Sequence, residues 1–112
     1  MALTSQPVLM IAGLALPNSA PGTPQFTAAK PHVIKWLSFT NTDTSDRTVT
    51  VHLIPSGEST GVATTLLTAY TIPAGSHFPV ASSEVINTGY TIQLTADVAD
   101  KVRASVSGVS FG

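Results

Sequence analysis

The side chains of this 112-residue chain that could do chemistry are few: six carboxylates, three histidines and three polar-tipped aromatics. Asp43 and Asp46 share one polar stretch, and Asp97 and Asp100 share another. Two carboxylates converging in a cleft could bind calcium or hydrolyse a glycoside. Asp also favours turns, where it accepts backbone N–H groups, and that is the expected role of all four. His32, His52 and His77 could ligate a metal as neutral imidazoles, yet their spacing matches no metal motif, so surface or interface histidines are expected and no metal. Trp36 and Tyr90 could form a sugar-stacking platform, but Trp36 lies inside an apolar run and is expected in the core.

Catalytic signatures are missing. There is no G-x-S-x-G elbow, phosphate loop, H-E-x-x-H pair or calcium-binding loop. With no cysteine, thiol nucleophiles, disulfides and thiolate zinc sites are excluded. These readings together give an expectation of no enzyme, no catalytic residues and no cofactor.

The elements that must position these residues are strands. Small hydroxyl side chains, 16 Thr and 12 Ser, occupy a quarter of the chain and suit strands and turns better than helices. His32–Thr40 places Ile34 and Trp36 on one face and Val33, Leu37 and Phe39 on the other, the pattern of a central strand buried on both sides. Asn41–Asp46 is a polar turn. Arg47–Ile54 then alternates, with Val49, Val51 and Leu53 inward and Thr48, Thr50 and His52 outward. Pro55–Gly61 is a loop, Leu66–Ile72 a strand, Pro73–Gly75 a turn, and Ser76–Val80 a short strand that Pro79 places at an edge or bend. Asn87–Gly89 turns into Tyr90–Ala96. After Asp97–Asp100 comes Lys101–Phe111, with Val102, Ala104 and Val106 inward. Six strands, and one or two more near the start, predict an all-β fold: an antiparallel β-sandwich or small jelly roll with an extended N-terminal arm.

That arm, residues 1–31, holds five of the eight prolines and one charged residue, Lys30; residues 32–112 form the sandwich. Val8–Leu16 is a nine-residue apolar run, too short to span a bilayer. Met1–Gln6 lacks the Lys or Arg of a secretory n-region, so the run is expected to belong to the folded protein rather than to a signal peptide. A disordered tail would be polar. The segment therefore reads as an arm laid on another surface, with Val8, Leu9, Ile11, Leu14 and Leu16 as anchors, or else as a first strand packed on its own domain.

Charge completes the reading. Only 10% of residues are charged, the net charge is −1 and no basic run could follow a phosphate backbone, so neither nucleic acid nor membrane is expected as a partner. A monomer so sparsely charged tends to associate. Outward Thr, Ser and Gln tolerate burial in an interface better than Lys or Glu, which makes Thr48, Thr50 and His52 candidate partner-binding positions beside the arm.

The order of pieces from Asn41–Asp46 through RTVTVHLIPSGESTGVA (47–63), YTIPAG (70–75), NTGYTIQLTAD (87–97) and the closing KVRASVSGV strand resembles small β-sandwich virion proteins of tailed bacteriophages, over residues 32 to 111. The resemblance implies a structural protein without an active site. It implies either a capsid decoration (cement) protein clamping the major capsid protein, present in many copies, or a tail, fibre or baseplate module using loops such as Pro55–Gly61 to bind virion proteins or a host ligand. It also implies a virion location, assembled in the host cytoplasm, with the major capsid protein or further copies of the chain as partners.

Overall fold

A computed structural model describes residues 5–18, 25–57 and 65–111. They form eight strands: β1 (Ser5–Ala15), β2 (Phe26–Thr27), β3 (His32–Asn41), β4 (Arg47–Ile54), β5 (Thr65–Ile72), β6 (His77–Ile86), β7 (Thr91–Ala96) and β8 (Val102–Phe111), with no helix among the described residues. Two four-stranded sheets result, with orders β1-β8-β3-β6 and β2-β7-β4-β5. Every pairing is antiparallel.

One rule generates this order. Strands pair from the two ends of the chain inward, β1 with β8, β2 with β7, β3 with β6 and β4 with β5, so the chain is a long nested hairpin with β4–β5 at its tip. Rolling that ribbon adds β3 beside β8 and β4 beside β7. This is the eight-stranded jelly roll. Alternation drives the closure: Val49 and Val51 of β4, Ile92 and Leu94 of β7, Val102, Ala104 and Val106 of β8, and Leu37 and Phe39 of β3 all enter one core between the sheets. Leu53 packs against that core as expected, and Ile54 beside it is buried too.

The N-terminal segment departs from the arm expected of it. β1 is the edge strand of the first sheet, paired along β8 from Ser5↔Phe111 to Ala15↔Arg103, and Met10, Ile11 and Leu16 are in the core. A first strand packed on its own domain is what the structure shows. Two register slips explain why the run reads as uniformly apolar: they lie between Leu9 and Ile11 and between Ile11 and Leu14, and each bulge resets which residue faces inward. Gly13, at φ 55°, occupies the second slip; this left-handed conformation carries no Cβ penalty only for glycine. Its N–H donates to Ser105 Oγ at 2.9 Å, and Arg103 Nη1 donates to its carbonyl at 2.8 Å.

Past β1 the chain crosses between sheets. The Leu16 N–H donates to the Val102 carbonyl, and the Ala96 N–H of β7 donates to the Pro17 carbonyl. Pro21 and Pro24, also assigned to the arm, lie outside the described residues. β2 is two residues long, and the Gln25 side chain extends its pairing: Nε2 donates to the Leu94 carbonyl at 2.9 Å while Oε1 accepts from the Leu94 N–H.

β3 holds the second departure. Its register slips between Ile34 and Trp36 in the ladders with both β6 and β8. The extra residue shifts the phase, so Ile34 before the bulge and Leu37 and Phe39 after it share the core face. Trp36 is turned out of the core and is 51% exposed. Gly108 makes the bulge possible: a Cβ built there would lie 1.9 Å from the Val33 carbonyl oxygen. β6 runs to Ile86, six residues beyond the expected short strand, and is an edge strand, which suits Pro79.

Candidate functional site

Three of the carboxylates, Asp43, Asp46 and Asp97, act as turn staples. Arg47 of β4 lies 2.6 Å from Asp43 and 3.5 Å from Asp97, joining the β3–β4 turn to the β7–β8 turn. The Arg47 guanidinium hydrogen bond, followed by the Thr44 N–H, holds the Asp43 carboxyl below its ordinary value. Asp97 Oδ1 accepts from the Thr48 N–H and Asp46 Oδ1 from the Ala74 N–H. Asn41, buried beneath them, donates to the carbonyls of Ser45 and Ile72, both at 3.0 Å, and accepts from the Asp43 N–H. These groups are consumed by structure.

The histidines are dispersed. His32 is buried, contrary to the surface or interface position expected of it; its ring stands edge-on to Phe26 at 5.3 Å, and Nδ1 lies 2.5 Å from the Lys30 carbonyl. His77 is exposed, with Nδ1 2.9 Å from Thr40 Oγ1. Among the described residues no group of three His, Asp or Glu side chains is placed to hold a metal. Tyr90 packs against the core, so it forms no platform with the outward-facing Trp36.

What remains is the pair of outer faces, and they differ sharply. On the β2-β7-β4-β5 sheet the outward rows are hydroxyl and amide: Thr50 pairs with Thr95, His52 with Gln93 and Thr48 with Thr71. Thr48, Thr50 and His52 are half-buried, and Thr50 Oγ1 accepts from the Ala69 N–H at 3.2 Å. On the β1-β8-β3-β6 sheet two adjacent outward rows are largely apolar, while the rows beyond them, Ser105-Ser38-Pro79 and Arg103-Thr40-His77, are mostly polar. Leu9, Ser107, Trp36 and Ala81 form one row across all four strands, and Pro7, Val109, Val33 and Val85 form the next. The large hydrophobic side chains exposed among the described residues, Leu9 at 57%, Trp36 at 51% and Val85 at 59%, all stand on this face.

Between those rows lies an open groove of about 420 Å³. Pro7, Val8 and Leu9 of β1 form one wall, Lys35 and Trp36 of β3 the other, and Ser107 and Gly108 of β8 the floor. Small residues on the middle strand and large ones on its two neighbours make the depression. Of the expected arm anchors, Leu9 and half-buried Val8 line this groove, whereas Ile11 and Leu16 are locked in the core and half-buried Leu14 packs against it. Ile11 and Leu16 therefore cannot anchor on a neighbouring protein while the sandwich is folded. Sequence reading missed that Trp36 is exposed and lines this groove, because a bulge is invisible to strict alternation.

No protein-family model and no curated protein matches this chain. Solved structures do. A chain in the structure of infectious bursal disease virus, Gx strain, superposes with a TM-score of 0.56 at 15% identity over 97% of this chain and 32% of that one. The Gt strain gives 0.48, 13%, 97% and 31%. The likeness is one of fold. This chain spans about a third of the length of those viral chains.

Proposed function

We propose that this protein is a non-enzymatic virion structural protein that works by packing its β1-β8-β3-β6 face against other shell proteins. The observation that carries the reading is the apolar band of Leu9, Trp36 and Val85 on the outside of a jelly roll whose chain is only 10% charged. Isolated exposed hydrophobics are ordinary, but contiguous rows across a sheet mark a protein contact. The fold likeness to a virus particle supports the same reading.

In its finer form the proposal is a capsid decoration (cement) protein of a tailed bacteriophage, bound to the major capsid protein in many copies. A tail, fibre or baseplate module is the second reading. It is favoured by the stapled Asn41–Asp46 turn, a rigid loop at one end of the sandwich; part of the Pro55–Gly61 loop that it would also use lies outside the described residues. Copy number and position in purified particles separate them. Hundreds of copies on the shell support cement, a few dozen or fewer at the tail support the module, and absence from particles overturns both.

A further inference from the structure

We infer that the groove on the outer β1-β8-β3-β6 face receives an extended, apolar protein segment that carries a carboxylate paired with Lys35. The inference rests on the structural reading above and names the partner's chemistry. Shape comes first. The walls stand on β1 and β3, which flank β8; at ~4.8 Å between strands that leaves ~10 Å from wall to wall, before the wall side chains narrow it. An extended chain fits that width, whereas an α-helix, ~10–12 Å across with its side chains, does not.

Polarity and charge select the rest. Pro7, Val8, Leu9 and Trp36 give the walls an apolar lining, with Trp36 supplying the broad face that dominates many protein contacts. A sugar would need more hydrogen-bonding groups than Ser107 and Lys35 provide. Lys35 is exposed and forms no ion pair among the described residues. Arg103 also faces outward on this sheet, bonded to the Gly13 carbonyl. The described carboxylates are elsewhere: Asp43, Asp46, Asp97 and Asp100 lie in the turns, and Glu84 pairs with Ile34 on the core-facing side of β6. The face is thus apolar and cationic without a compensating acid. Two copies stacked on it through a two-fold axis would bring cations against cations, which disfavours a second copy as occupant.

The test uses the complete particle. The chain has no native cysteine, so Ala81→Cys, beside Trp36 on the same outer row, accepts a photoreactive maleimide without competition. After assembly and irradiation, the crosslinked peptide is mapped by mass spectrometry. The expected product is an apolar segment of another virion protein, extended in that protein's structure, with Asp or Glu within a few residues of the crosslink. Lys35→Glu should lower the yield roughly tenfold, while Lys30→Glu, the same charge change outside the groove, should leave it unchanged. Crosslinks to a second copy of this chain, to a helix or to a glycan, an equal yield from Lys35→Glu, or no crosslink in particles that contain the chain would each overturn the inference. Absence of the chain from particles would instead overturn the structural reading beneath it.

Discussion

The two outer faces of this jelly roll have the same backbone architecture and differ in that only one of them gathers large exposed apolar side chains. On one, Thr48, Thr50, Thr71 and Thr95 place hydroxyls in cross-strand pairs that water can solvate; on the other, Leu9, Trp36 and Val85 hold apolar surface open to solvent. Both faces alternate with the same core, so core packing does not dictate the difference. A shortage of charge spread evenly over a surface lowers solubility in general, whereas apolar rows gathered on one sheet define a direction for association. In the proposed function the apolar rows are covered by a partner and the hydroxyl face is left in water.

The strongest way to break that contrast is to remove the strand on which half of the apolar face stands. Deleting residues 1–16 removes β1, strips β8 of a partner and takes Met10, Ile11 and Leu16 from the core. With total stabilities of only about 5–15 kcal/mol, the truncated chain is expected to be unfolded by circular dichroism; a soluble, cooperatively melting product would restore the detachable arm. Gly108→Ala is the next largest. The new methyl meets the Val33 carbonyl at 1.9 Å, and the β3 bulge must move, at a cost of about 2–3 kcal/mol in urea unfolding. A neutral result would mean that the bulge presenting Trp36 is not fixed by Gly108.

Smaller changes sharpen the contrast without breaking the fold. Trp36→Ser should change unfolding free energy by less than about 1 kcal/mol, since the ring is half exposed, yet weaken particle binding by about 2 kcal/mol, roughly thirtyfold. Thr50→Asp on the opposite face should leave binding within about twofold, as substitutions away from an interface do. If Thr50→Asp is the more damaging in a binding titration, the assignment of faces is reversed.

The smallest effect expected is on acid stability. Because Arg47 and the Thr44 N–H depress the Asp43 carboxyl below the ordinary carboxylate range, the stabilisation it brings is fully present above about pH 4 and is lost as pH falls through the lower folded value. Asp43→Asn should remove that part of the acid-induced decline in melting temperature and leave the neutral-pH shape of the transition unchanged.

Much of this was legible in the residues. Arg47–Ile54 is read with its boundaries because β4 alternates strictly and is framed by an Asp-rich turn and a proline, and β8 shows its inward Val102, Ala104 and Val106 for the same reason. Strands joined by short polar turns declare themselves locally. The failures lie in the two slipped strands. In β1 and β3 the ladder slips by a residue, so a period of two read through Val8–Leu16 or Ile34–Phe39 assigns some residues to the wrong face. That is why Trp36 was expected in the core; β1, an edge strand, read as an arm because its segment is proline-rich and nearly free of charge. The apolar face itself was not legible, since it joins Leu9, Trp36 and Val85 across strands distant in sequence, whereas the hydroxyl face was visible within β4 alone.

The most direct test of the account is cysteine accessibility before and after assembly. Val85→Cys marks the apolar face and Thr71→Cys the hydroxyl face, and both positions are exposed in the folded chain. Each should react rapidly with a maleimide in the free protein. In assembled particles the account predicts that Val85→Cys becomes protected while Thr71→Cys stays reactive; protection of Thr71→Cys with Val85→Cys still open would contradict it.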